Sequence, residues 1–212
     1  MTRSFETPAF EAALWELLRW RRDVRGFLTD PIDEAEIRSL LEAAQLAPSV
    51  GLSQPWRFVR VRTPEVRAAV RACFERCNAE ALSGYDGEQA ALYAKLKLSG
   101  LDDAPVQIAV FCVDNVETGH GLGRRTMPET AAYSVVTAVH TLWLTARAKG
   151  IGMGWVSILD PDEIASALTV PPGWRLIAYL CLGKPTADHD SPELERAGWE
   201  HRLPLEAVLV ER

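Results

Sequence analysis

The pattern that decides the fold class lies in residues 128–158, PETAAYSVVTAVHTLWLTARAKGIGMGWVSI. Pro128 to Lys149 is apolar nearly all round, which predicts a long helix that must be covered on several sides. We expect a sheet to cover one side and a second subunit to cover another, and His140 to be a core residue of this helix. Gly150 is the glycine typical of a helix end, and Gly154 to Ile158 predicts a strand.

Helix and strand signals follow one another along the rest of the chain without a regular βαβ order. Three segments predict helix starts: Thr7-Pro8, Asp30-Pro31 and, as a capping box, Asp160-Pro161-Asp162-Glu163. Further strands are predicted at Trp56 to Arg62, Pro105 to Val113 and Trp174 to Leu182. Further helices are predicted from Thr63-Pro64 onward and, with a more polar pattern, at Asp86 to Ser99. This order favours an α+β fold over a doubly wound α/β fold.

The chain shows no internal repeat and no low-complexity linker, so we expect a single domain over residues 1–212. Its apolar end, Leu205 to Val210, is expected to add an edge strand or to wrap a partner.

The overall charge is mildly acidic, with 23 Lys and Arg residues against 29 Asp and Glu residues. This balance gives no reason to expect nucleic acid or an anionic membrane as a partner. No apolar stretch approaches the roughly 20 residues of a membrane span, and the N-terminus does not resemble a secretory signal. The four cysteines and four histidines lack metal-ligand spacing. We therefore expect a cytoplasmic protein without a metal site.

A cluster of arginines stands out against this acidic background. Arg19, Arg21, Arg22 and Arg25 fall within seven residues, and Arg21 and Arg25 would lie one turn apart if the preceding helix continued. Guanidinium groups suit a phosphate or a carbonyl-rich ring edge, so the cluster indicates a small anionic ligand. The structural alternative is a solvated helix end that complements the helix dipole, with Asp23 as a local salt-bridge partner.

Two further segments have a composition typical of binding loops. In the loop APSVGLSQPW, residues 47–56, Ser49, Ser53 and Gln54 can offer donors and acceptors from a rigid backbone. In GIGMGWVSI, residues 150–158, the glycines permit a close approach of the backbone to a ligand. The alternatives are a plain helix-to-strand connection and a set of glycines that closes a long helix.

Taken together, these segments resemble the nitroreductase family of flavoproteins, in which an R-R-x-x-R run, an A-P-S-x-x-x-x-Q-P-W loop and a G-I/L-G stretch recur in this order. The similarity is greater to one branch of that family, the BluB-type 5,6-dimethylbenzimidazole synthases. The segments that carry it are RRDVRGF (21–27), APSVGLSQPWRF (47–58), YAKLKLSGLDDAPVQIAVFCV (93–113), GLGRRTMPET (121–130), GMGWVSILDP (152–161) and PELERAGWEHR (192–202).

The resemblance implies a nitroreductase-like fold, with a central, mainly antiparallel sheet flanked by helices, in an intertwined homodimer that holds FMN at each subunit interface. Arg21 and Arg25 would contact the flavin phosphate, ribityl chain or pyrimidine edge, and Arg202 the phosphate. Ser157 falls where the family places a residue close to flavin N5. The whole cofactor-binding set implied is Arg21, Arg22, Asp23, Val24, Arg25, Ser49, Leu98, Ser157 and Arg202.

Two departures favour the synthase branch over ordinary nitroreductases. Those enzymes usually have Asn where Leu52 stands and Glu where Ser157 stands. The polar segment Asp86 to Leu101 would be the lid of the branch, with Leu98 near the ring. The resemblance implies the oxygen-dependent fragmentation of reduced FMN to 5,6-dimethylbenzimidazole, the lower ligand of cobalamin (vitamin B12), with Asp23 and Ser157 as catalytic residues.

On this interpretation the substrates are reduced FMN and dioxygen, and a separate flavin reductase supplies the reduced flavin. One alternative is an NAD(P)H-dependent nitroreductase or flavin reductase. Another is a non-enzymatic flavin-binding protein that uses the same scaffold.

Overall fold

A computed structural model describes residues 3–212, so the first two residues of the predicted domain lie outside it. The strands are β1 (Trp56–Arg60), β2 (Val106–Val113), β3 (Gly152–Val156) and β4 (Trp174–Gly183). The helices are α1 (Pro8–Trp20), α2 (Glu34–Ala44), α3 (Pro64–Leu82), α4 (Gly87–Tyr93), α5 (Thr130–Ala148), α6 (Pro161–Ala167) and α7 (Glu193–Arg196). Short 3-10 helices lie at Val50–Leu52, between α2 and β1, and at Leu205–Ala207, after α7.

The four strands form one sheet in the order β1-β2-β4-β3, and each neighbouring pair is antiparallel. The two central strands are buried on both faces, which explains why β2 is apolar at almost every position. Ile108 and Leu180 face one apolar core, whereas Phe111 and Tyr179 face the other. The α+β assignment and the antiparallel sheet are therefore confirmed. Strand β3 begins two residues before the predicted strand and ends at Val156, so that Ser157 lies just beyond it.

Helix α5 covers one face of the sheet through Val135, Val139 and Leu142, which are fully buried. Tyr133 and Val136 lie on another face of the same helix and remain exposed. His140 is also exposed, so the prediction of a core histidine is wrong. The apolar neighbours of a residue in sequence lie on other faces of a helix and do not bury it.

The predicted helix starts at Thr7-Pro8, Thr63-Pro64 and Asp160-Pro161 are confirmed. The Thr7 hydroxyl accepts a hydrogen bond from Phe10 N at 3.2 Å, and the Asp160 carboxylate accepts from the amides of the first turn of α6. The start at Asp30-Pro31 is wrong. Helix α2 begins at Glu34 because the carboxylate of Asp33 caps it, at 3.0 Å from Ala35 N.

The predicted helix at Asp86 to Ser99 is much shorter in the structure, because α4 ends at Tyr93 and the chain continues in turns. The tail, Leu205 to Val210, forms no edge strand, and its apolar side chains are exposed. Whether it wraps a partner stays a prediction. Within residues 3–212, none of the helices combines the length and the apolar character that a bilayer crossing requires.

Candidate active site

The arginine-rich segment runs in an extended conformation alongside β3. Helix α1 ends at Trp20, and Arg21 already has extended backbone angles. Asp23 forms a parallel bridge with Met153, and Val24 N donates to the Met153 carbonyl at 3.0 Å. The helix therefore does not continue, and Arg21 and Arg25 are not one helical turn apart. In extended chain alternate side chains share a face, which groups Arg21, Asp23 and Arg25.

Two glycines of β3 permit this close approach. A Cβ atom on Gly154 would lie 2.2 Å from the Val24 carbonyl oxygen, and one on Gly152 would lie 3.0 Å from the Val24 side chain. Inserting a side chain into such tight packing typically costs about 1–3 kcal/mol or more. The glycines predicted to admit a ligand thus admit another segment of the same chain.

The carboxylate of Asp23 is held by two donors. Its Oδ1 accepts from Trp155 N at 2.9 Å, and its Oδ2 accepts from Arg25 Nε at 3.0 Å. The alternative interpretation of Asp23 as a salt-bridge partner is therefore confirmed for Arg25. Because one donor is a strand amide, the carboxylate has a fixed direction relative to the sheet.

Arg25 joins three parts of the chain. Besides Asp23, its Nη1 donates to the Lys97 carbonyl at 3.0 Å and lies 3.8 Å from a carboxylate oxygen of Glu193. Its side chain is only 13% exposed. The guanidinium thus connects the arginine-rich segment with α7 and with residues 86–101. These residues are named the lid segment after the prediction from the resemblance.

Arg21, Arg22 and Arg202 concentrate positive charge beside this ion pair. Burial lowers the pKa of Arg21, Asp23 opposes that change, and Arg202 adds to it. Burial also lowers the pKa of Arg22, and repulsion from Arg202 and Arg21 lowers it further. Arg22 Nε is buried and has no hydrogen-bond partner among residues 3–212. An anion placed here would relieve the mutual repulsion of the arginines.

These side chains line a pocket of about 190 Å³. Its walls contain four guanidinium groups and two carboxylates, from the residues Arg21, Arg22, Asp23, Arg25, Pro192, Glu193, Leu194 and Arg202. The excess of planar, charged donors suits an oxyanion such as a phosphate. The structure thus brings Arg202 into the same pocket as the arginine cluster, although the two are far apart in sequence.

Neither Ser157 nor Leu98 is among the residues that line this pocket in the described part of the chain. Ser157 is exposed and stands two residues beyond Trp155, whose amide binds Asp23. Leu98 is half-buried and adjoins Lys97, whose carbonyl binds Arg25.

Ser49, in contrast, lies away from the arginine pocket of its own chain. Its loop packs on the first half of α5, where Val50 N donates to Ser134 Oγ at 3.0 Å. Trp143, which contacts Arg21, lies about 13 Å further along that helix at the usual rise of an α-helix. Leu52, in the same loop, is 72% exposed. A single chain therefore does not bring Ser49 to the pocket.

The sequence analysis missed three residues that shape the pocket. Trp143 lies under the Arg21 guanidinium at 4.7 Å and donates from its indole nitrogen to the Arg22 carbonyl at 3.2 Å. Lys97 and Glu193 are the other two, through their contacts with Arg25. The apolar pattern of the long helix indicated only a packing role for Trp143. A hydrogen bond to a backbone carbonyl, such as that of Lys97, leaves no pattern in the sequence.

The chain is similar to known proteins over most of its length. The model of the nitroreductase family matches residues 18–184. A 5,6-dimethylbenzimidazole synthase of Rhodospirillum rubrum is 55% identical over 201 residues, covering 95% of both chains. One of Rhodobacter capsulatus is 53% identical over 194 residues, covering 92% of this chain and 94% of the relative.

Among solved structures, an iodotyrosine deiodinase bound to FMN and 3-iodo-L-tyrosine superposes with a TM-score of 0.70. It is 24% identical, and the match covers 83% of this chain and 91% of the deiodinase. At that identity the superposition establishes the shared fold and nothing finer.

Proposed function

The chain belongs to the nitroreductase family, and from this premise we propose that it is an FMN-binding 5,6-dimethylbenzimidazole synthase. The observation that carries the proposal is the near full-length identity of 55% and 53% to two synthases. The arginine pocket supplies the physical reason why a flavin mononucleotide would bind. The proposed cofactor and substrate are reduced FMN, with dioxygen as the co-substrate.

The residues present fit the phosphate end of FMN. The pocket has four arginines against two carboxylates, and the buried Arg22 Nε lacks a hydrogen-bond partner within the described part of the chain. Arg21, Arg25 and Arg202 would hold the phosphate and ribityl chain, and the backbone of Arg22, Asp23 and Val24 would lie beside them. A pocket of about 190 Å³ is smaller than the roughly 300–1,000 Å³ usual for ligand sites, which supports completion of the site by a second subunit.

Bound reduced FMN would supply the chemistry, an oxidation by dioxygen in which the dimethylbenzene part of its ring would become the product. For this chain we assign two catalytic residues. Asp23 accepts a proton on the ribityl side, where its carboxylate is held in one direction by the Trp155 amide. Ser157 donates a hydrogen bond near flavin N5. The lid segment, with Leu98, excludes water and bulky substrates from the ring.

The two alternative functions have weaker support. A 27% identity to an NADH dehydrogenase of Thermus thermophilus lies far below the identity to the synthases. Leu52 and Ser157 also stand where ordinary nitroreductases have Asn and Glu. A purely flavin-binding role leaves the oriented carboxylate of Asp23 without a chemical use.

The deciding experiment is an incubation of the pure protein with chemically reduced FMN in air, followed by chromatography for 5,6-dimethylbenzimidazole. We expect the product without any added NAD(P)H, because a separate flavin reductase is the proposed source of reduced flavin. Turnover of NAD(P)H with nitro compounds and no benzimidazole product would contradict the proposal.

We further propose that the protein is a homodimer. Helix α1 buries none of its residues within the chain, although Phe10 and Trp15 are apolar and exposed. The exposed tail, Leu205 to Val210, and the exposed face of α5 at Tyr133 and Val136 are further apolar surface that a partner would cover. A partner would also bring its own Ser49 loop to the arginine pocket.

We expect sedimentation of the protein at micromolar concentration to give twice the mass of one chain, because these apolar surfaces require cover. Trp15→Glu in α1 should shift the distribution toward the monomer, since it places a charge in the interface. The exposed, ion-paired Arg38 provides a matched control, and Arg38→Glu should leave the dimer unchanged. A monomeric wild-type protein that still binds FMN would contradict the proposal.

Single replacement of Arg21, Arg25 or Arg202 by Ala should weaken FMN binding about tenfold or more. Charge-assisted hydrogen bonds contribute about 1.5–3 kcal/mol each. Titration of the flavin fluorescence measures the effect. Arg38 is 81% exposed and does not line the pocket, so Arg38→Ala should leave the Kd unchanged. Unchanged titrations for all three variants would leave the arginines with the structural role of a charged helix end.

A further inference from the structure

Three aromatic side chains join the lid segment to the C-terminal part of the chain. Tyr85 and Tyr93 lie before and at the end of α4, with ring centroids 5.0 Å apart. Trp199, just beyond α7, lies 5.5 Å from the Tyr85 ring and 6.1 Å from the Tyr93 ring. These distances are typical of favourable aromatic pairs, so the three rings form one packed cluster.

Both sides of this cluster are anchored to the fold. Tyr93 is 7% exposed, and its hydroxyl donates to Asn78 Oδ1 in α3 at 2.8 Å. Burial raises the pKa of Tyr93, with a smaller contribution from Tyr85. On the other side, Trp199 N donates to the Leu194 carbonyl at 2.8 Å, in the turn made possible by the positive φ of Gly198.

Trp199 is also the last anchored side chain before Arg202. Every residue from Glu200 to Arg212 is exposed. Among the described residues, the contacts of Glu200 and His201 are local, with each other and with Glu195. The position of Arg202 in the pocket therefore depends on where Trp199 holds the chain, three residues earlier.

A second set of contacts joins the lid segment to the C-terminal part of the chain. Arg25 binds the Lys97 carbonyl near the end of the lid segment and lies beside Glu193 at the start of α7. The lid segment is thus attached to the C-terminal part at two places, at Tyr93 through the aromatic cluster and at the Lys97 carbonyl through Arg25.

We propose that Trp199 is a positioning residue that couples closure of the lid segment to binding of the flavin phosphate by Arg202. When the lid segment packs on Trp199, the following three residues place the Arg202 guanidinium in the pocket. When the lid segment leaves, Trp199 loses the Tyr93 ring and Arg202 loses part of its anchor. The coupling is reciprocal, so bound phosphate also favours the closed lid. This inference rests on the proposed function, because it takes the anion to be that of FMN.

Hydrogen–deuterium exchange and FMN titration test the coupling on the whole protein. In the wild type we expect FMN to slow exchange of the amides of residues 87–97. Trp199→Ala should remove that protection and weaken FMN binding about tenfold, since it eliminates two aromatic pairs. Trp199→Phe should restore most of both effects. Glu200→Ala, at the exposed neighbouring position, should behave as the wild type.

A double variant separates positioning from a general loss of structure. If Trp199 acts through Arg202, then Trp199→Ala combined with Arg202→Ala should bind FMN no more weakly than Arg202→Ala alone. Tyr85→Ala, a change at a half-buried loop residue, should reproduce the loss of coupling should Trp199→Ala fail to fold. Additive losses in the double variant would overturn the inference, and so would wild-type protection in either single variant. Failure of the wild type itself to bind FMN would instead refute the proposed function.

Discussion

Asp23→Asn is expected to bind FMN and to form almost no 5,6-dimethylbenzimidazole. Removal of a single interaction made in the transition state typically costs about 100- to 1000-fold in rate. Asn retains an oxygen that can accept from the Trp155 amide, so the backbone of the segment should stay in place. The side chain can no longer accept a proton, however, and the reduced flavin should simply be reoxidised to FMN. Product chromatography together with flavin titration measures the two effects separately.

A control is needed because Asp23 also forms the ion pair with Arg25. Glu193→Gln removes the other carboxylate near Arg25, at 3.8 Å, and leaves Asp23 intact. If Asp23 has a chemical role, Glu193→Gln should keep most of the product yield. A near wild-type yield from Asp23→Asn would leave Asp23 as a structural residue only, and equal losses in both variants would point to the position of Arg25.

Ser157→Gly should reduce product formation by about 100-fold or more, because it removes the hydroxyl proposed to donate near flavin N5. The residue is exposed and lies just beyond β3, so the replacement should cost little stability. FMN binding, which depends on the arginines, should change little.

Ser157→Thr serves as the matched control for that loss. It keeps a hydroxyl at the same position and should retain part of the product yield. Full activity of Ser157→Gly, measured by the same chromatography, would remove Ser157 from the catalytic pair.

The fold was largely predictable because its signals are local. Caps at Thr7 and Asp160 act within one helical turn, and the apolar runs of β2 and α5 follow directly from burial. The error at Asp30-Pro31 is also local. A helix begins where a carboxylate reaches a free backbone amide. Asp33 is better placed, and the pattern of residue types did not distinguish the two.

The sequence predicted which charged residues the structure brings together, and much less of how they are arranged; that they bind FMN stays a prediction. The arginine cluster and Arg202 do meet in one pocket, as the resemblance implied. Their arrangement depends on the extended path of the chain beside β3, which is a long-range pairing with no local signal. The contact of Arg25 with the Lys97 carbonyl could not be predicted either, because every residue has a backbone carbonyl and none is marked in the sequence. Ser49 remains a prediction that requires the second subunit.

The contact of Gly154 with the Val24 carbonyl has a consequence for how such sequences can diverge. Any side chain at position 154 would push the Val24 backbone away from β3, and the Trp155 amide would then no longer reach Asp23. The two segments, which lie 130 positions apart in the sequence, are therefore expected to change together. In an alignment of relatives, loss of the glycine should coincide with change in the acidic residue, and this paired pattern could serve as a marker that separates members that retain the oriented carboxylate from those that have lost it.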